Sequence, residues 1–133
     1  MTDLVQRITE AIFRQEGMPP DWPNPGNLRD CPWFPVLPIP GDPEGRHARC
    51  YTERGITIQV QYAGGFWKPA SRAQGVAGAL HVVALRIAEG QTLRTLITAW
   101  APPSDGNATD AYIANVQDWA AITDADAVLY ELL

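Results

Sequence analysis

The chain has 133 residues, with 10 Lys and Arg against 15 Asp and Glu, and carries a formal net charge of −5 at pH 7. That length predicts one domain, residues 1–133, around one hydrophobic core, because domains usually run to about 100–150 residues. A composition that is 46% hydrophobic and 19% charged is typical of a globular protein. The acidic balance excludes the basic surface that a general phosphate-backbone binder needs, so we expect no nucleic-acid partner.

The acidic charge is concentrated towards the C-terminus. No Lys or Arg follows Arg94, whereas six acidic residues do: Asp105, Asp110, Asp118, Asp124, Asp126 and Glu131. No apolar run approaches the roughly 20 residues that cross a bilayer, so we expect no membrane partner. The N-terminus is amphipathic and mixed in charge, which is not typical of a secretory signal, and we expect the chain to be cytoplasmic as synthesised.

Cys31 and Cys50 are the two cysteines of the chain. Together with His47 they are still too few, and wrongly spaced, for a structural zinc site. We therefore expect no metal. The sequence also has no phosphate loop and no dinucleotide fingerprint, so we expect no cofactor. A single disulfide between these cysteines stays open as an alternative to two free thiols.

The first predicted element is a helix from Asp3 to Glu16. Asp3 is placed to cap it, and the apolar residues recur at spacings of one, three and four: Leu4, Val5, Ile8, Ala11 and Ile12. Gly17 is predicted to end the helix in the left-handed conformation. The segment from Pro19 to Pro43 then holds nine of the 12 prolines and is predicted to be an ordered, aromatic-anchored loop.

A small β-hairpin is predicted after this loop. Residues Ile56 to Ala63 alternate apolar and polar side chains, which is the period of a half-buried strand. Its predicted partner is Arg46 to Glu53, joined to it across Arg54 and Gly55.

A longer helix is predicted next. Ser71 and Gln74 have the spacing of a capping box at its start, and Gly90 follows its end. Gly75 and Gly78 suit the close approach of another backbone. Its predicted buried stripe is formed by Val76, Leu80, Val83, Ala84 and Ile87.

Three more helices complete the predicted fold. Thr92 caps a short one whose apolar face is Leu93, Leu96, Ile97 and Trp100. The second runs from Thr109 to Trp119, and the third opens at Thr123 with Asp126 in its first turn. The prediction is therefore a mainly helical α+β domain with about five helices and a small β-hairpin after the first helix.

Glu16 has a distinctive place among the ionisable residues. It is the last residue of the first predicted helix, directly before the aromatic-rich loop. The negative end of the helix dipole and partial desolvation both raise the pKa of such a carboxyl group, which suits a general acid. An ordinary solvated residue at a helix end fits the same placement. The two histidines, His47 and His81, are predicted to be structural or exposed.

The segment after Glu16 carries groups that suit a sugar. Asn24 and Asn27 put two side-chain amides on a tight turn, where they can bond hydroxyl and acetamido groups. Trp22 and Trp33 offer flat faces on which sugar rings stack. The same residues also make a good turn with no ligand at all.

Taken in order, six segments resemble the lysozyme-like proteins of phage and prophage tail or virion modules: RQEG (14–17), NPGNL (24–28), Gly75 to Leu80, GQTL (90–93), ITAWAPPSDGN (97–107) and TDAYIANV (109–116). That family is similar in fold to soluble lytic transglycosylases and goose-type lysozymes. The resemblance implies cleavage of the β-1,4 bond between N-acetylmuramic acid and N-acetylglucosamine in peptidoglycan. It also implies a virion-associated or released protein.

By the same resemblance, Glu16 is the catalytic acid and Tyr112 is the tyrosine that lies near it and helps to hold it. Asn107, in the WAPPSDGN run, joins Trp22, Asn24, Asn27 and Trp33 as an expected substrate-binding residue. A core aromatic residue at helical spacing is the other interpretation of Tyr112.

The sequence departs from the family at Pro23, where the family has the first Asn of NNPGN, and in the longer, proline-rich stretch from Asp30 to Ser71. A second carboxylate stays open, with Asp21 and Asp30 nearest in sequence and Glu44 and Glu53 in the hairpin region behind them. Two other functions also stay open. One is a catalytically inactive structural or saccharide-binding module, and the other is an immunity or scaffold protein that uses the acidic tail.

Overall fold

The computed structural model describes residues 2–28, 37–38, 40–41, 48–53, 56–63, 66–69 and 71–133. The chain divides into two compact units, one made of Met1–Gly17 with Ala79–Leu133 and the other of Met18–Gly78. The described part is mainly helical, as predicted, and it has four α-helices where about five were expected. None of these helices is both long and apolar enough to cross a membrane.

The first unit begins with α1 (Thr2–Glu16). Its predicted apolar stripe is confirmed, since the exposed fraction of each member is 6% or less: Leu4, Val5, Ile8, Ala11 and Ile12. Gly17 takes a φ of 58° and its N–H donates to the Phe13 carbonyl over 3.0 Å, which confirms the predicted helix end. Asp3 lies in the first turn rather than at the cap, and it pairs with Arg7 over 3.1 Å.

Three further helices belong wholly or partly to this unit: α2 (Arg72–Ala88), α3 (Leu93–Trp100) and α4 (Thr109–Ala120). The predicted caps of α2 and α3 are confirmed. The Gln74 N–H donates to Ser71 Oγ over 3.2 Å, and Thr92 and Thr95 form a capping box in which each side chain bonds the other backbone N–H. A 3-10 helix, Pro103–Asp105, separates α3 from α4.

The core of the first unit is formed by α1, α3, α4 and the second half of α2. Within the predicted α2 stripe, Val83 and Ile87 are buried, whereas Leu80 and Ala84 are only partly buried against the core. Ala79 and Val82, which the prediction left out, are buried instead.

The predicted fifth helix, opening at Thr123, is wrong. The segment after α4 forms turns and then a 3-10 helix, Leu129–Leu132. Asp124 Oδ1 accepts the Asp126 N–H over 2.9 Å, and this local bond competes with helix formation. Backbone bonds to distant partners then hold the segment in place: Arg94 N–H to the Ala125 carbonyl, Leu129 N–H to the Gln91 carbonyl, and an antiparallel bridge between Thr92 and Val128.

The second unit contains an antiparallel four-stranded sheet in the order β1 (Leu37–Pro38), β2 (Ala48–Glu53), β3 (Ile56–Ala63) and β4 (Phe66–Lys68). The predicted β3 is confirmed over its whole length. Its predicted partner is confirmed over Ala48–Glu53, in a register that pairs Glu53 with Ile56 and Ala48 with Gln61. The sequence analysis predicted neither β1, which lies within the predicted loop and pairs with β2, nor the short β4, which pairs with the end of β3.

Candidate functional site

Glu16 occupies the next position on the buried stripe of α1. It follows Ile12 by four residues and Ile8 by eight, and both isoleucines are fully buried. The Glu16 side chain is half-buried as a result, and this burial raises the pKa of its carboxyl group above the ordinary value of 4.5. The carboxyl also lies at the negative end of the helix dipole, which disfavours its charged form in the same direction.

Tyr112, on α4, lies close enough to this carboxyl group for the charge of Glu16 to act on its hydroxyl, although the two groups form no hydrogen bond. The residue is only 4% exposed, and its hydroxyl has no hydrogen-bond partner among the residues that the structure describes. Burial raises the pKa of Tyr112 far above its ordinary value of 10.0, and the negative charge of Glu16 raises it further. The structure thus brings Glu16 and Tyr112 together within one unit, and Tyr112 stays neutral as a potential hydrogen-bond donor.

Three polar contacts hold α1 against α4 along the approach to this pair. Arg7 Nη1 donates to the Ala120 carbonyl over 2.8 Å, and Asn115 Nδ2 donates to Gln15 Oε1 over 2.9 Å. The Arg14 guanidinium lies over the Trp119 ring, 4.2 Å from its centroid. The two helices run antiparallel, because residues further along α1 contact residues closer to the start of α4.

Sequence reasoning missed these α1–α4 contacts. The available signal was the spacing on α4, where Tyr112, Asn115 and Trp119 are three and four residues apart and so share one side of the helix. Nothing in the sequence identifies Gln15 and Arg14 as their partners, because the contacts are about 100 residues apart along the chain.

Asn24 has a structural role in the second unit. Its side chain is fully buried, and its Nδ2 donates to the carbonyls of Leu28 and Trp67, each over 2.8 Å. Its Oδ1 accepts the Leu28 N–H over 3.0 Å. Both amide hydrogens and the amide oxygen therefore bond backbone groups, and this arrangement replaces the sugar-binding role expected from the sequence.

The predicted turn around Asn24 is confirmed. The Asn27 N–H donates to the Asn24 carbonyl over 2.9 Å, and Asn27, not Gly26, has the left-handed backbone, with a φ of 52°. The Asn27 side chain is half-exposed. It is therefore the amide of this turn that is open to a ligand.

The indole nitrogen of Trp22 is buried and has no hydrogen-bond partner in the described part of the chain. Its backbone carbonyl accepts a bond from Arg72 Nη1 over 3.3 Å, and the side chain as a whole is half-buried. Trp33, the other tryptophan expected to stack on a sugar ring, lies outside the described residues, as do His47 and Cys31.

Gly75, in the first turn of α2, confirms the predicted close approach of another backbone. A Cβ atom at this position would overlap the Pro23 carbonyl oxygen and lie 3.1 Å from Pro69 Cγ. The segment that precedes Asn24 therefore packs directly on the α2 backbone. Pro23 contributes its carbonyl group to this contact.

The other predicted site residue, Asn107, lies on the exposed connection between α3 and α4. Its Nδ2 donates to the Pro102 carbonyl over 3.1 Å. A shallow pocket of about 450 Å³ lies at the C-terminal end of α4, lined by Ala114, Gln117, Asp118, Ala121, Ile122 and Thr123. Neither Glu16 nor Tyr112 lines it. Across the described ranges, no group of three or more His, Cys, Asp or Glu side chains has the arrangement to hold a metal ion.

No protein-family model, no curated protein and no solved structure matches this chain. The geometry around Glu16 and Tyr112 is therefore the basis on which a function is proposed.

Proposed function

We propose that this protein is a peptidoglycan-cleaving glycosidase, of the lysozyme or lytic transglycosylase type, in which Glu16 is the general acid. The observation that supports the proposal is that a half-buried carboxyl group acts electrostatically on the buried hydroxyl of Tyr112, which has no hydrogen-bond partner in the described part of the chain. A general acid must hold its proton near the working pH, and the raised pKa of Glu16 enlarges the protonated fraction.

In the proposed reaction, protonated Glu16 gives its proton to the glycosidic oxygen as the bond between that oxygen and the sugar C1 breaks. The electron pair of the bond goes to the leaving oxygen, and positive charge develops on the sugar ring. Water, or a hydroxyl group of the same sugar, then attacks C1. Glu16, now a carboxylate, takes up the proton of the attacking group and is regenerated.

The test compares cell-wall clearing by the wild type, Glu16→Gln and Glu10→Gln. The amide at position 16 keeps the shape of the side chain but has no acidic proton to give. Glu10 is the matched control, because it is an exposed glutamate on the same helix that bonds Gln6 over 3.1 Å. We expect clearing to fall at least about 100-fold in Glu16→Gln, the lower end of general acid contributions, and to persist in Glu10→Gln. Equal clearing by all three proteins removes Glu16 from the mechanism.

Mass analysis of the released muropeptides separates the two possible outcomes of the reaction. Hydrolysis leaves a new reducing end, whereas attack by the sugar's own hydroxyl leaves an anhydro product that is lighter by one water. A product of either type supports the proposal.

The internal bonds of the Asn24 amide favour a second candidate, a catalytically inactive saccharide-binding or structural module, because they remove one expected sugar contact. This candidate predicts that the wild type binds cell walls or chitooligosaccharides without forming reducing ends or anhydro products. Glu16→Gln would then bind as the wild type does.

A further inference from the structure

The last turn of α1 ends at a glycine, and its stability depends on contacts with neighbouring elements. Glu16 is its final residue, and Gly17 then leaves the helix with a left-handed backbone. Terminal turns of helices fray unless side chains or neighbouring elements hold them. If this turn opened, the Glu16 side chain would leave the stripe defined by Ile8 and Ile12 and gain access to water.

Two contacts hold this turn against α4, and they involve the two residues directly before Glu16. The Gln15 side chain accepts a hydrogen bond from Asn115 over 2.9 Å, and the Arg14 guanidinium stacks on Trp119 at 4.2 Å. Asn115 follows Tyr112 by three residues on α4, so the bond to Gln15 lies about one helical turn from the Tyr112 side chain. The contact that fixes the helix end therefore also sets the register between Glu16 and Tyr112.

We propose that Asn115 is a positioning residue for Glu16, because its bond to Gln15 keeps the last turn of α1 closed and holds the Glu16 carboxyl beside Tyr112. Asn115 is itself exposed, so its amide is not needed to fill the core. This inference rests on the proposed function for its catalytic meaning, but its structural content is testable without any substrate.

The groups around Glu16 on α1 and α4 make a change in the pKa of Glu16 straightforward to interpret. Tyr112, on α4, interacts with Glu16 and stays neutral throughout the range in which a carboxyl group titrates. Arg14, the cation nearest in sequence, lies over Trp119. Burial is the cause that raises the pKa of Glu16, so opening the helix end should lower that pKa towards its ordinary value.

The experiment uses Asn115→Ala in the full chain, with Gln15→Ala cutting the same bond from the other side. Gln6→Ala is the matched control, since it removes a glutamine from α1 whose bond stays within the helix, to Glu10. The Glu16 carboxyl is followed by carbon-13 NMR titration. Fraying is followed by hydrogen exchange of the Gly17 N–H, which bonds the Phe13 carbonyl in the closed turn.

We expect the Gly17 N–H to exchange about fivefold faster in Asn115→Ala and in Gln15→Ala, which is the effect of losing one side-chain hydrogen bond. In the same two variants the pKa of Glu16 should fall, whereas Gln6→Ala should change neither quantity. Faster exchange with an unchanged pKa of Glu16 gives Asn115 a merely structural role and overturns the proposal, as does the absence of both effects.

Activity assays then separate this inference from the proposed function. If the wild type cleaves peptidoglycan, the high-pH limb of its activity profile should move to lower pH in Asn115→Ala, because the acid loses its proton earlier. If the wild type cleaves nothing under any condition, the proposed function fails, and the titration and exchange data still decide whether Asn115 positions Glu16.

Discussion

The contact between Gly75 and the Pro23 carbonyl makes a prediction in which two effects have opposite signs. Gly75 lies in the first turn of α2, and its N–H donates to the Ser71 carbonyl over 3.0 Å. Helix propensity alone predicts that Gly75→Ala stabilises the protein by about 1 kcal/mol. The structure predicts the reverse, because the new methyl group would overlap the Pro23 carbonyl oxygen and press on Pro69.

The cost of this overlap outweighs the gain in propensity. Overpacking by one methyl group costs about 1–3 kcal/mol, and the upper part of that range applies here because the atom in the way belongs to the backbone, which cannot rotate aside. After the propensity gain is subtracted, we expect a net loss of about 1–2 kcal/mol. For a chain of this size the midpoint of thermal unfolding should fall by about 3–8 °C.

Urea unfolding followed by both circular dichroism and tryptophan fluorescence measures this change, and coincident curves establish that a single free energy of unfolding applies. Ala77→Gly is the matched control, since Ala77 is exposed on the same helix and its replacement should cost about 1 kcal/mol through propensity alone. A gain in stability for Gly75→Ala, equal and opposite to the loss in Ala77→Gly, would refute the close backbone contact.

Three further predictions concern Asn24, Glu16 and Tyr112. Asn24→Ala leaves buried backbone groups unpaired, so its free energy of unfolding in urea should be about 2–4 kcal/mol below that of the wild type. The control Asn107→Ala, at an exposed site, should differ from the wild type by no more than about 0.5 kcal/mol. The Glu16 carboxyl binds its proton more tightly in the folded protein than in the unfolded chain. The free energy of unfolding therefore falls as the pH rises from about 4.5 through the pKa that Glu16 has in the folded protein. In thermal unfolding, Glu16→Gln should be about 0.3–1 kcal/mol more stable than the wild type at pH 7. Below about pH 4, where Glu16 is protonated, the two proteins should be equally stable. A wild-type advantage that grows with pH would contradict this reasoning. Tyr112→Phe removes a buried hydroxyl that has no described partner, so the free energy of unfolding of this variant should equal that of the wild type or exceed it by up to about 1 kcal/mol. Clearing of cell walls by the variant should fall. A loss of more than about 1 kcal/mol in the free energy of unfolding would show that the hydroxyl has a partner.

The elements that the sequence predicted best are those defined by local spacing. The apolar stripe of α1 and the alternation in Ile56–Ala63 each repeat within a few residues, so their burial and pairing follow from the period alone. The segment after Thr123 has a plausible helical start, but its structure is decided by bonds to Gln91, Thr92 and Arg94, over 30 residues away. No local pattern reports bonds of that kind.

The candidate site shows the same division between local and distant information. The position of Glu16 on the buried stripe could be predicted from its spacing after Ile12. The left-handed turn at Gly17 could be predicted because glycine is the usual residue at that position. The orientation of Asn24 was not readable, because an amide that bonds its own loop and an amide that faces a sugar require the same residue. Burial distinguished them, since a side chain with no exposed surface has no access to a ligand.

Glu16 breaks a local rule that the rest of α1 obeys. Four residues after Ile12, an apolar side chain would extend the stripe, avoid the unfavourable end of the helix dipole and bury no charge. The glutamate does none of these, and its neighbour Tyr112 adds a buried hydroxyl with no described partner. Each feature alone costs stability, and both occur at one point where α1 meets α4. Departures from local consistency that coincide in space are typical of functional sites, and this coincidence is the physical reason to test Glu16 before any other residue of the chain.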